Sequence, residues 1–349
     1  MKAWIAKMTE EQIDHQAIQK AGKMLLEGQL VAFPTETVYG LGGNALDAEA
    51  SRRIYAAKGR PSDNPLIVHI GRMEDLERIA KEIPLAARAL ADAFWPGPLT
   101  MIFPKTDAVP FETTGGLDSV AVRFPSHKVA NALILAAGGF VAAPSANTSG
   151  RPSPTMAEHV IEDLGEKISC IIDGGMVQIG LESTIVDFTE EIPTILRPGY
   201  YNQEMMEAVI GPMRLDPGIQ NESEHVRPKA PGMRYRHYAP KADLTIVQGD
   251  IACVIEKIND LTKKNCAEGK KVGIICTDET VGRYPMGDVK SIGMRSDEET
   301  IARHLFAILR EFDEDGSDVI YSEAFDTPRM GQAIMNRLLK AAGHKVLEV

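Results

Sequence analysis

An apolar run that halts on proline and gives way at once to hydroxyls, a carboxylate and glycines restricts this chain most. It reads Gln29-Leu30-Val31-Ala32-Phe33, then Pro34-Thr35-Glu36-Thr37-Val38-Tyr39-Gly40-Leu41-Gly42-Gly43. The first part has the character of a buried strand, and the second has the residue types of a turn and a site rather than a core. A helix-like segment over 47–57 then delivers Lys58 and Arg60, followed by Pro61-Ser62-Asp63-Asn64-Pro65. Two cations beside glycine-freed backbone amides make a pocket for an anion, foremost a phosphate. At period two in extended chain, Thr35 and Thr37 share one face and Glu36 takes the other.

Around this stretch, strand-like runs fall at 66–70, 99–103, 119–124, 140–143, 171–173, 184–188 and 194–197, with helical spacing at 11–26, 75–81, 85–94 and 127–137. That mixture predicts an α/β or α+β domain to residue 211. Residues 212–240 are rich in proline, glycine and charge and read as a linker. The second half of the linker, Pro231-Gly232-Met233-Arg234-Tyr235-Arg236-His237-Tyr238-Ala239-Pro240, is basic and aromatic, unlike an inert spacer. Beyond it, strands at 244–247, 272–276, 289–292 and 318–321 alternate with helices at 251–261, 298–313 and 331–342, which predicts a small parallel sheet.

A length of 349 residues suits two domains, each with its own core. The net charge of -11 argues against long-range attraction to nucleic acid or anionic membrane, so any anion site is local. Cys170, Cys253, Cys266 and Cys276 show neither C-x-x-C pairing nor metal-ligand spacing, as expected of free thiols in a reducing compartment. Residues 1–12 lack an apolar signal core, and the most apolar run, 132–143, is too short to span a bilayer. The expectation is a soluble cytoplasmic protein.

Gly40-Leu41-Gly42-Gly43-Asn44-Ala45 matches G-x-G-x-x-A. A dinucleotide fingerprint, however, needs its strand to run straight into the first glycine, and here the strand stops at Pro34. No P-loop pattern occurs. Taken alone, Lys58 and Arg60 read equally as solvated cations at a helix end. Arg123 and Arg197 shift that balance, since each ends a strand followed directly or nearly so by proline, and both favour convergence on a polyanion. Ser145 and Ser153 fit either loop capping beside proline or polar ligand contacts. His69, inside an apolar strand, fits a core histidine as readily as a ligand. No serine sits in a nucleophile elbow, which disfavours covalent hydrolase chemistry. No protein metal site is expected, and any Mg²⁺ would arrive mainly on a nucleotide.

These motifs, in their order, resemble the threonylcarbamoyl-AMP synthases. They include Pro34-Thr35-Glu36-Thr37-Val38-Tyr39-Gly40, Lys58-Gly59-Arg60-Pro61, Asn64-Pro65-Leu66-Ile67-Val68-His69 and Trp95-Pro96-Gly97-Pro98-Leu99-Thr100. Further along come Ala143-Pro144-Ser145-Ala146-Asn147, Arg151-Pro152-Ser153, Glu182-Ser183-Thr184-Ile185 and Leu196-Arg197-Pro198-Gly199. The linker and following domain match the two-domain form: a YrdC-like catalytic domain (1–211) with a twisted mixed sheet, a linker acting as active-site lid (212–240), and a small Rossmann-like parallel α/β domain (241–349). The resemblance implies a nucleotidyltransferase that makes threonylcarbamoyl-adenylate and pyrophosphate from L-threonine, bicarbonate or CO₂, and ATP. That product serves threonylcarbamoyladenosine modification of tRNA, with separate transfer proteins as partners and little direct tRNA binding. By motif position, Thr37, His69, Arg123 and Ser183 surround threonine. Arg60, Asn64, Ser119, Ala143, Ser145, Ser153 and Arg197 hold ATP, joined from the lid by Tyr235 or Tyr238. Lys58 and Arg60 are the catalytic cations beside the phosphates. The chemistry agrees, because a carbamate attacking a polyphosphate needs concentrated positive charge and no side-chain nucleophile. An RNA-binding module and a carbamoyl-phosphate-dependent carbamoyltransferase are the alternatives from other classes.

Overall fold

The computed structural model describes residues 2–219 and 237–349. The chain divides into two compact units, Met1–Ser149 with Ser153–Tyr235, and Gly150–Pro152 with Arg236–Val349.

In the first unit the elements are β1 (Trp4–Lys7), α1 (His15–Leu26), β2 (Val31–Phe33), β3 (Gly40–Asn44), α2 (Ala48–Lys58), β4 (Ile67–Ile70), α3 (Leu76–Ile79), α4 (Leu85–Phe94) and β5 (Leu99–Pro104). They continue as β6 (Ser119–Arg123), α5 (Lys128–Ala136), β7 (Phe140–Ala142), α6 (Ala157–Leu164), β8 (Cys170–Asp173), β9 (Thr184–Asp187), β10 (Thr194–Arg197), α7 (Gln203–Ile210) and β11 (Arg214–Leu215). The strands form one mixed sheet of 11, ordered β1-β8-β2-β3-β7-β4-β6-β5-β9-β10-β11. Alternation along β4, β5 and β6 sends Val68, Met101 and Val122 into a large core shared with Leu41, Leu90 and Val186. Near the other end of the sheet, Val31, Phe33 and Val141 pack with Ile18 and Leu25 of α1 and Leu133 of α5.

Caps explain where several elements begin. The Asp14 carboxylate accepts from Gln16 N and Ala17 N at 3.0 Å each, so α1 starts at His15 rather than at residue 11. Asp47 caps α2, and Gly59, at φ 64°, ends it in the left-handed conformation. Two short helices, α6 and α7, and the edge strands β1 and β11 are additions to the pattern read from sequence. β11 pairs in parallel with β10, so the opening of the expected linker at 212–240 carries sheet structure.

The glycine-rich stretch is the main correction. Gly40 to Asn44 is not a turn but a sheet strand, with Val31, Ala32 and Phe33 opposite Gly42, Leu41 and Gly40, and with Gly43 opposite Ala142. A methyl group on Gly42 would lie 3.0 Å from Phe33 Cε1, Val141 Cγ1 and Val31 O. Glycine is used here because neighbours crowd the strand, and its peptide groups belong to the ladder rather than to an anion pocket.

The second unit comprises β12 (Asp243–Gln248), α8 (Ile251–Ala267), β13 (Val272–Cys276), β14 (Asp288–Ser291), α9 (Glu298–Asp315), β15 (Val319–Glu323), α10 (Gly331–Ala341) and β16 (Val346–Glu348). Its five strands are all parallel, ordered β14-β13-β15-β12-β16, as the βαβ alternation predicts. Cys170 and Cys276 are buried, and burial pushes both thiols up to about 12, which leaves them unreactive. Among the described residues no helix is long and apolar enough to cross a membrane.

Candidate active site

Strand pairing sets out the site as a row across the first unit's sheet. Arg197 on β10 lies opposite Ile185 on β9, and Ile185 lies opposite Thr100 on β5. Thr100 lies opposite Arg123 on β6, which in turn lies opposite His69 on β4. Residues opposite one another in a sheet project to the same face, so two arginines, a threonine and a histidine line one surface. On the same face, one pleat repeat along, Ile67, Ala121 and Ile102 cluster with Leu196 and with Ile185 of the row as an apolar border to it.

Hydrogen bonds join the row to the loops above it. Arg123 Nη1 donates to Thr37 Oγ1 at 2.9 Å, and Arg123 Nη2 lies 2.7 Å from Glu36 Oε1. Ser183 shares a hydroxyl hydrogen bond with Thr100 at 2.8 Å. Arg197 donates from Nε to Ser183 O at 3.0 Å and from Nη2 to Ser183 Oγ at 3.2 Å. Thr37, Arg123, Ser183 and Arg197 are all buried, as is His69.

The turn at 34–39 differs from its sequence reading. Thr35 Oγ1 accepts from Thr37 N and donates to Val38 O at 2.7 Å, folding 36–38 into a bend. Thr35 and Thr37 do meet, their hydroxyls 2.9 Å apart. Strict alternation fails, however, because the bend brings both Glu36 and Thr37 to Arg123. The turn is pinned by Ile179 N donating to Glu36 O and by Gly180 N donating to Thr37 O.

A second group of residues surrounds the end of α2. Lys58 Nζ donates to the carbonyls of Ser145 and Asn147, and Ser145 Oγ donates to Asn147 Oδ1. The lysine is therefore neither a solvated helix-end cation nor an isolated one; it straps the 145–147 loop. Arg60 donates to Asn64 O at 3.2 Å and to Pro65 O at 3.1 Å. Ser153 Oγ donates to Glu182 Oε1 at 2.5 Å, next in sequence to Ser183. Ala143 is buried, with its N–H on Ile67 O. Ser119 opens β6 four residues before Arg123, roughly 13 Å away along the strand, and stands apart from the row. Tyr235 lies outside the described residues. Tyr238 belongs to the second unit, where its ring stacks on Phe306 with centroids 4.9 Å apart. Three partners were passed over from sequence: Thr100, Asn147 and Glu182. Each sits in a conspicuous motif, but only the fold shows which side chain it meets.

His69 is neutral at pH 7. Burial first, and the Arg123 charge second, bring its pKa down to about 3, with Nδ1 3.2 Å from Ile67 O. Between about 3 and the unfolded value near 6.5, the unfolded chain binds the extra proton, so stability falls as pH falls through that window. Urea unfolding at pH 7, 5.5 and 4.5 is expected to show a loss approaching 1.4 kcal/mol per pH unit from this residue, flattened in His69→Asn. A variant as acid-sensitive as the parent would contradict the assignment.

Gly199 closes the site at its Arg197 end. A methyl group there would lie 2.4 Å from Thr184 N and 2.9 Å from Ser183 C. Gly199→Ala is expected to lower the urea midpoint by the equivalent of about 1–3 kcal/mol, because backbone rather than a flexible side chain must give way. The geometry of the row is expected to suffer with it as Ser183 and Arg197 separate.

Residues 23–199 match the family described as telomere recombination, and residues 201–343 the family described as threonylcarbamoyl-AMP synthase, C-terminal domain. Fold, site and the two matches together define a two-domain α/β enzyme with a YrdC-type first domain. The threonylcarbamoyl-AMP synthase of Pyrococcus abyssi is 51% identical over 97% of this chain and 98% of its own length. That of Bacillus subtilis is 47% identical over 99% of both. A crystal structure of the Pyrococcus abyssi protein Sua5, in complex with L-threonine, superposes with a TM-score of 0.94 at 49% identity over 100% of both chains. The chain belongs to the threonylcarbamoyl-AMP synthases, enzymes that make an adenylate from ATP.

Proposed function

We propose that this enzyme joins L-threonine to bicarbonate or CO₂ as a carbamate and transfers the adenylyl group of ATP to it. The carbamate oxygen attacks the α-phosphorus, the bond to the β-phosphate breaks, and pyrophosphate leaves with the electron pair. The observation that carries this reading is a group of buried polar atoms left over once Arg123 Nη2 and Glu36 Oε1 have paired, with no hydrogen-bond partner among the described residues: Arg123 Nε, Glu36 Oε2 and Asn64 Oδ1. Each such atom costs about 1–3 kcal/mol unless something pairs with it, which favours a polar, charged ligand at this place. The related Sua5 structure with L-threonine bound supports threonine as that ligand.

In this reading Thr37, His69, Arg123 and Ser183 surround threonine. Neutral His69 offers hydrogen bonding without adding charge. Arg60, Asn64, Ser119, Ala143, Ser145, Ser153 and Arg197 hold ATP, while Lys58 and Arg60 contribute positive charge beside its phosphates. Catalysis is then positioning plus electrostatics, since a carbamate and a polyphosphate repel each other until cations and oriented donors offset their charge. Among the described residues no three histidine, cysteine or carboxylate groups gather as a metal site. In this reading Mg²⁺ arrives on the nucleotide phosphates. Residues 1–211 form the catalytic domain and 241–349 the C-terminal domain. The lid expected at 212–240, with Tyr235, falls mostly outside the described residues. The product passes, in the cytoplasm, to separate transfer proteins for tRNA modification.

Pyrophosphate release from ATP, measured with and without L-threonine and bicarbonate in Mg²⁺ buffer, tests the reaction. Release is expected to need both and to be lost in Arg60→Ala. Release indifferent to threonine would overturn the reading.

A further inference from the structure

Glu36 is a buried carboxylate that the proposed reaction has not yet used. It is 2% exposed, and both its oxygens lack a hydrogen-bond partner among the described residues. Its nearest charge is Arg123 Nη2 at 2.7 Å, close enough to pair but without the alignment of a hydrogen bond. Arg123 Nε and Nη2 are likewise left without acceptors, while Nη1 is held by Thr37. With Nη2 and Oε1 facing each other, the two side chains still present, side by side, an unspent donor at Arg123 Nε and an unspent acceptor at Glu36 Oε2.

That is the complement of an α-amino acid zwitterion, whose carboxylate and ammonium are carried on the same carbon. We infer that Glu36 is the ammonium subsite of the amino-acid pocket, with the substrate carboxylate on Arg123. This rests on the reading that threonine binds here and adds a residue and a charge requirement to it. The remaining surroundings leave Glu36 as the acceptor. Thr35 and Thr37 spend hydroxyl valences on each other and on Val38, and Ser183 is engaged by Thr100 and Arg197. A charge-assisted hydrogen bond in a buried site discriminates strongly against a ligand that lacks the charged partner.

The test is calorimetric titration of the full chain with L-threonine and with its 2-hydroxy analogue, in which a hydroxyl replaces the ammonium. The unmodified protein is expected to bind threonine at least about 10-fold more tightly than the analogue, and up to about 100-fold. In Glu36→Gln that preference is expected to vanish or invert, because the anionic analogue then meets Arg123 without its competing carboxylate. If Glu36 merely orients Arg123, Glu36→Gln weakens both ligands by the same factor, and the inference is overturned. Equal affinity of the unmodified protein for the two ligands overturns it with no variant needed, which matters should Glu36→Gln fold poorly. If the unmodified protein binds neither ligand, the threonine reading fails and takes the subsite with it.

Discussion

Arg123→Ala is expected to cost the first unit about 3–5 kcal/mol and to abolish adenylate formation. The arginine is 4% exposed, and its removal leaves the buried Glu36 carboxylate with no opposite charge beside it. An uncompensated buried charge costs more than the pair contributes, since two charges taken from water roughly cancel their own attraction. Against a total stability of about 5–15 kcal/mol, such a loss moves the urea midpoint far. Arg123→Ala combined with Glu36→Gln separates the causes. The double variant is expected to regain at least about 1 kcal/mol of the loss, because the stranded charge is gone, yet to remain inactive. A single variant within about 1 kcal/mol of the parent would mean that water reaches the pair and that the site is more open than its burial indicates.

Which parts of this site were legible in the sequence follows from how each is built. Arg123 and Arg197 were, because a strand that ends in arginine with proline one or two residues on announces both where the strand stops and that a cation stands at its end. The row that joins them was not. It depends on β6 lying between β4 and β5, and on β9 lying beside β5, pairings between strands far apart in the chain. Plain alternation puts Glu36 on the opposite face from Thr37, but the Thr35 hydroxyl bends the backbone and brings both to Arg123. The Gly40 to Asn44 strand reads as a turn in sequence because glycine is a poor strand former, and only the crowding by Phe33 and Val141 shows why it is required there. Where local pattern and tertiary demand agree, as in the parallel sheet of the second unit, sequence and structure coincide.

Lys58 carries the second large expectation. The residue is 2% exposed, and its ammonium donates to two backbone carbonyls of the 145–147 loop. Two contributions are therefore combined in one side chain: a strap that fixes Ser145, and a positive charge held without reorganisation next to that loop. Lys58→Met keeps much of the stem volume while removing both, and stability is expected to fall by about 2–4 kcal/mol as two buried carbonyls lose a donor. Charge held in place is worth most at the transition state, so kcat for pyrophosphate release is expected to fall about 10²–10³-fold even at saturating ATP. Were the lysine only a strap, the variant would raise KM for ATP and recover its kcat at saturation. Lys58→Arg adds a further separation, because it preserves charge but not the compact geometry that reaches both carbonyls. Its stability is expected to lie near that of the methionine variant and its kcat between methionine and the parent. An arginine variant no faster than methionine would assign the whole effect to loop geometry.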